Sequence, residues 1–192
     1  AAWMVCLLLV IRAGVSFQAG LACALAILIR PNLAPLAMVP LLIADRKVLF
    51  AVPVALAGLL LAGLQWFWYG SPLRSGYGTA EELFAISNVI PNAGRYFSWL
   101  IATAPVLLLS PFAVVRLTDN AHARALAAFA MLVVSAYLVY AVFDHWSYLR
   151  FLLPAMAVLA VFTGLVLASW IGRWPVAVRW PIFCCLMLGI VA

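Results

Sequence analysis

Residues 48–78, VLFAVPVALAGLLLAGLQWFWYGSPLRSGYG, decide how the chain is read. From Val48 to Trp68 no charged residue occurs, and at about 1.5 Å per helical residue such a run covers the roughly 30 Å hydrocarbon core of a bilayer. The run ends in a knot of aromatics, Trp66-Phe67-Trp68-Tyr69. It then turns through Gly70-Ser71-Pro72 into the one sizeable polar connection of the chain, which lasts until about Trp99.

The rest of the chain has the same character. Of its 192 residues 69% are hydrophobic and 8% charged, against roughly 45–50% apolar and about 25% charged in soluble domains. The expected fold is all-α: a polytopic transmembrane helix bundle with a short surface helix in one outer loop. Residues 1–192 are read as a single transmembrane domain truncated at both ends, because the first and last residues both lie inside apolar runs. Runs at about 48–68, 97–115, 125–143 and 151–172 have spanning length, and 1–11 and 181–192 are parts of two more.

Residues 17–44 break the pattern. Arg30-Pro31-Asn32 divides them into two stretches, each about 20 Å long as a helix. Two parses remain open. As two short helices they return the chain to the side it came from; as one kinked helix they carry it across and leave Arg30 in the middle.

With the first parse, Arg12, Arg46, Lys47, Arg116, Arg124, Arg173 and Arg179 share one side. That is seven of the eleven Lys and Arg residues, and basic loops stay in the cytoplasm. The 69–99 loop and the 144–150 turn then face outward. The net charge of +6 is accounted for by these loop ends, so no nucleic acid partner is expected. Trp66, Trp68, Trp99 and Trp146 at the outer boundary, and Trp170, Trp174 and Trp180 at the inner one, sit where indole rings prefer to lie. In the outer loop Thr79-Ala80-Glu81-Glu82 has capping-box spacing, which predicts a short surface helix over about 80–88 closed by Pro91.

Four arginines stand on the side that should be poor in them: Arg30, Arg74, Arg95 and Arg150. A charge at membrane depth is costly and faces an interior cavity or a partner, so Arg30 is expected to line an outward-open pocket. Arg150 directly precedes an apolar run and follows Asp144, which could pair with it. Guanidinium groups match phosphate oxygens and stay charged at any working pH. Arg30, Arg150 and Arg74 are therefore the candidate phosphate-binding residues, with Asn32, Tyr77, Glu81, Asp144 and Tyr148 as candidate cavity or substrate contacts. Plainer readings stand beside these: a buried pair that holds two helices for Arg30, pairing with Asp144 for Arg150, snorkelling for Arg74 and Arg95, capping and solvation for Glu81 and Glu82, interface anchoring for Trp68 and Tyr77. Cys6, Cys23, Cys184 and Cys185 lie in apolar runs without CxxC spacing and are read as small hydrophobes. His145 has no ligand-type neighbour at metal spacing, so neither a metal nor a cofactor is expected. Nucleotide-binding and hydrolase fingerprints do not occur in this segment.

Several stretches in order resemble a known family. Gly20-Leu21-Ala22 leading to Ile27-Leu28-Ile29-Arg30-Pro31-Asn32 comes first, and Tyr69-Gly70-Ser71-Pro72-Leu73-Arg74-Ser75-Gly76-Tyr77-Gly78 second. Ala104-Pro105-Val106-Leu107-Leu108-Leu109-Ser110-Pro111 and Tyr148-Leu149-Arg150-Phe151-Leu152-Leu153-Pro154 follow. Together, over about residues 20–160, they resemble C-type integral-membrane glycosyltransferases. The nearest group is the bacterial one related to protein O-mannosyltransferases and lipid A aminoarabinose transferases. The resemblance implies transfer of a sugar from a polyprenyl-phosphate donor to a lipid, glycan or protein acceptor at the outer face of the bacterial cytoplasmic membrane. It also implies an acidic general base in a first outer loop upstream of this segment, so the catalytic residue is unknown here. A transporter or flippase-like carrier of an anionic lipid or solute would use the same arginines and is the alternative.

Overall fold

Two hydrogen bonds close the base of the bundle. In the computed structural model, which describes residues 1–12, 14–76, 78–116 and 119–173, the Gly14 amide donates to Asp45 Oδ2 (3.2 Å) and the Arg46 amide to Ser16 Oγ (3.1 Å). They join the start of helix α2 (Ser16–Ile29) to the start of helix α4 (Lys47–Tyr69). Residues 16–44 therefore leave one end of the bundle and return to it, as two short pieces. The kinked-helix parse would have put Ser16 and Arg46 at opposite ends.

The turning point follows from local chemistry. Proline lacks an amide hydrogen, and it disfavours the helical region for the residue before it. Arg30 accordingly adopts φ −141°, ψ 84°, and a 3-10 helix over Pro31–Ala37 leads into α3 (Met38–Ile43). The same device recurs at Ala104-Pro105: Ala104 has φ −151°, ψ 57°, and a 3-10 helix over Pro105–Leu109 follows.

Helix α1 (Ala2–Val10) descends to the base, and α2 packs between it and α4. Gly20 makes the α2–α4 contact possible. A β-carbon there would collide with the Phe50 carbonyl oxygen and lie 2.7 Å from Pro53 Cγ. Measured from that contact, Ile29 lies about 14 Å along α2, whereas Tyr69 lies about 28 Å along α4. Arg30 thus sits roughly 14 Å short of the level that α4 reaches. From about the level of Arg30 on, α4 leaves Leu59, Leu60, Trp66, Phe67 and Trp68 exposed among the described residues, and it ends on Gly70 in the left-handed conformation (φ 71°), the usual glycine C-cap.

The polar connection beyond is built rather than loose. Strands β1 (Arg74–Ser75) and β2 (Gly78–Thr79) pair antiparallel. The capping box forms as expected: the Thr79 amide donates to Glu82 Oε2 (2.8 Å) and the Glu82 amide to Thr79 Oγ1 (3.4 Å). The helix it opens, α5 (Ala80–Leu83), is shorter than the expected 80–88. The Ala85 amide goes instead to the Val139 carbonyl (2.8 Å), so a tertiary bond takes the donor that would have continued the helix. Nor does Pro91 close anything; it lies in the first turn of the next helix, α6 (Val89–Thr103), where its missing amide hydrogen costs nothing.

A second correction concerns 97–115, expected as one span. The chain instead bends by 110° between α6 and the segment Pro105–Arg116, whose second half is α7 (Ser110–Arg116). The Thr163 hydroxyl donates to the Val106 carbonyl (3.5 Å) beside the break. Helix α6 turns its polar Asn92 inward, while Ile90, Phe97 and Ile101 are exposed.

Helices α8 (Ala121–Leu138) and α9 (Leu153–Ile171) complete the described bundle. Asn120 caps α8, its side chain accepting from the His122 and Ala123 amides. A 3-10 helix over Trp146–Leu152 feeds α9. The far end of α8 is held by Asn92, whose Nδ2 donates to the carbonyls of Tyr137 (3.2 Å), Leu138 (3.1 Å) and Tyr140 (2.7 Å). Asn92 is buried, so Asn92→Ala strands carbonyls that helix geometry leaves without donors. We expect it to cost about 1–3 kcal/mol in denaturation of the full-length protein; a loss below about 0.5 kcal/mol would mean that the clamp is dispensable.

Three helical stretches, Lys47–Tyr69, Ala121–Leu138 and Trp146–Ile171, are long and apolar enough to cross a membrane, and the bent pair makes a fourth if counted as one. Charge divides between the two ends. Arg12, Arg46, Lys47, Arg116, Arg124 and Arg173 gather at the base, where Arg116 Nη1 donates to Ser169 Oγ (3.3 Å) near the end of α9. The connection 70–88 and the turn 139–145 meet at the other end. Arg179, Trp174, Trp180, the 181–192 run, Cys184 and Cys185 lie outside the described residues.

Candidate anion site

Arg30, half-buried, ends α2 at the foot of the roughly 14 Å step up to the tip of α4, and that step is the recess. Its Nη1 donates to Tyr137 Oη (3.1 Å), and Asn32 Nδ2 donates to the same oxygen (3.2 Å). Tyr137 is 1% exposed, and its ring stacks on Phe151 with centroids 4.9 Å apart. The Arg30 guanidinium also lies over Phe151, 5.1 Å from the ring centroid.

Arg150 reaches the same ring from the 3-10 helix that precedes α9. Its Cζ is 5.9 Å from the Phe151 centroid and 5.4 Å from that of Tyr148. The two arginines singled out in the sequence are thus brought to one aromatic side chain. A guanidinium over a ring face gains about 0.5–2 kcal/mol, which holds each group in place without neutralising it. Phe143 stacks on Tyr148 at 4.1 Å, and Tyr140 meets Tyr137, Phe143 and Phe151, so the floor is aromatic throughout.

Among the described residues the sole ion pair is Arg95–Asp144, Nη2 to Oδ1 at 2.5 Å, with Arg95 Nε donating to the same oxygen at 3.1 Å. Asp144 therefore pairs with Arg95 and not with Arg150. Neither Arg30 nor Arg150 has a carboxylate at salt-bridge distance among the described residues. What remains around Phe151 is a set of donors: the half-buried Arg30 guanidinium, the exposed Arg150 guanidinium and the Asn32 amide. It suits a tetrahedral oxyanion.

Arg74 and Glu81 do not join it. Arg74 lies in a separate open depression of about 520 Å³ that it lines with Trp68, Tyr69, Gly76 and Gly78. Glu81 is exposed and makes no side-chain hydrogen bond among the described residues. Tyr148 takes part through its ring, as the stacking surface under Arg150. Tyr77 lies outside the described residues.

Beside Asn32 an apolar groove of about 280 Å³ runs between the 3-10 helix and α8, lined by Leu33, Pro35, Leu36, Leu132, Ser135 and Ala136. The polar recess and this groove share Asn32.

Sequence reasoning missed Tyr137 and Phe151. A signal was present in the composition: five Tyr and Phe rings, Tyr137, Tyr140, Phe143, Tyr148 and Phe151, crowd into fifteen residues around Arg150. Compared with known proteins, the chain matches no family model, no curated protein and no solved structure.

Proposed function

We propose that the chain is part of a polytopic membrane glycosyltransferase. It takes a sugar from a polyprenyl-phosphate donor and passes it to a lipid, glycan or protein acceptor at the outer face of the bacterial cytoplasmic membrane. The observation that carries this reading is the meeting of Arg30 and Arg150 on Phe151 with no carboxylate beside them among the described residues. Support for the setting comes from the long apolar helices and from the concentration of basic residues at the end opposite the recess. The groove at Asn32 suits a hydrocarbon chain attached to the bound phosphate.

In the reaction the acceptor oxygen or nitrogen forms a bond to the anomeric carbon, and the bond from that carbon to the phosphate oxygen breaks. The electron pair stays on polyprenyl phosphate, whose growing negative charge Arg30 and Arg150 stabilise. The acceptor's proton passes to a carboxylate base, which is assigned to no residue of this chain. Glu81 and Asp144 are not given that role.

Full-length protein in detergent, supplied with a polyprenyl-phosphate sugar and acceptor, is expected to release polyprenyl phosphate in step with glycosylated acceptor. A carrier would leave the donor chemically intact and act only between two compartments. Intact donor after prolonged incubation with every candidate acceptor class would reject the transferase in favour of that carrier.

A further inference from the structure

Tyr137 has no part in the proposed chemistry, yet both donors of the recess that come from the α2 break end on it. Arg30 and Asn32 flank Pro31, where α2 gives way to the 3-10 helix. Each has several rotamers, and each uses one N–H on the same phenolic oxygen, at 3.1 and 3.2 Å. The oxygen itself cannot drift. Tyr137 is buried at 1% exposure, its ring is stacked on Phe151, and its backbone carbonyl is held by Asn92.

We propose that Tyr137 is the positioning residue of the anion site. By accepting from both, it turns Arg30 and Asn32 into a fixed pair whose remaining N–H groups face one ligand oxyanion, with the Phe151 ring setting the tilt of the Arg30 plane. This rests on the reading of the recess as a lipid-phosphate site. Preorganised donors bind better than the same donors in many rotamers, because the ordering cost is met during folding. Tyrosine is well matched to this position, since its oxygen accepts two hydrogen bonds, whereas phenylalanine preserves the stack and accepts none.

The test uses full-length protein in phosphatidylcholine nanodiscs and compares polyprenyl phosphate with uncharged polyprenol of the same chain length. Tyr137→Phe is expected to reduce the preference for the phosphate by about ten- to a hundredfold, the weight of hydrogen bonds to charged groups, with polyprenol binding unchanged. In an Arg30→Ala/Asn32→Ala background the same substitution should have no further effect, since a residue that acts through others is silent without them. Undiminished phosphate preference in Tyr137→Phe, or an equal loss in both backgrounds, would overturn the positioning role. Absence of any phosphate preference in the wild type would overturn the anion site itself, a different failure.

Discussion

Full-length protein carrying Arg30→Ala is expected to lose sugar transfer by about 10²–10³-fold while staying folded. The two halves of this expectation have separate grounds. In the proposed reaction, loss of rate follows from removing a guanidinium at the leaving phosphate, where charge develops in the transition state and where a preorganised donor has its largest effect. Retention of the fold follows from the arrangement around Tyr137. With Arg30 gone, Asn32 still donates to the phenolic oxygen, so no buried acceptor is orphaned, and Tyr137 keeps its stack on Phe151. Arg30→Lys sharpens the test. It returns the charge but neither the planar fork nor the match to a ring face, so rescue should be partial. Transfer rates with thermal unfolding of the same samples decide the matter. Near-normal turnover in the alanine variant would remove Arg30 from the site.

The second large effect concerns the fold itself. Gly20→Val is expected to cost about 3 kcal/mol, the upper end for overpacked interiors. The β-carbon alone would collide with the backbone oxygen of Phe50, and backbone cannot swing aside as a side chain can. Helices α2 and α4 would have to separate, and Arg30, at the far end of α2, would move with them. Gly58→Val on α4 is the control, because nothing lies within 4 Å of the position its β-carbon would take. Equal unfolding midpoints for the two variants would show that the close approach of the helices contributes little.

Much of the scaffold was legible because it depends on strictly local physics. The 48–68 run and the helix observed there agree closely, and so do the two short pieces flanking Arg30-Pro31 and the capping box at Thr79–Glu82. Elsewhere distant contacts decided. One proline in an apolar run is compatible with a mild kink or a sharp turn. At Ala104-Pro105 the result is a 110° bend, with Thr163 bonded to a carbonyl beside it. The helix from Thr79 could have continued, but the Ala85 amide found Val139, far along the chain. Legibility of the site divides the same way. Arg30 and Arg150 stood out as charges in apolar surroundings. Their relation did not, because Arg30 and Tyr137 are 107 positions apart, and a buried tyrosine within an apolar helix reads as core until its hydroxyl is seen to have partners.

The closure of residues 16–44 at Gly14–Asp45 and Ser16–Arg46 has a consequence for how such a chain is threaded. In the proposed membrane setting, an excursion that begins and ends at one face contributes an even number to the crossing parity. A change of length at its Arg30-Pro31 break does not by itself invert any helix that follows. The stretch that carries Arg30 is thereby freed from the constraint that governs α4, α8 and α9, each of which must keep its direction for the next to be right. Residues at that break can be varied with the direction of every later helix preserved.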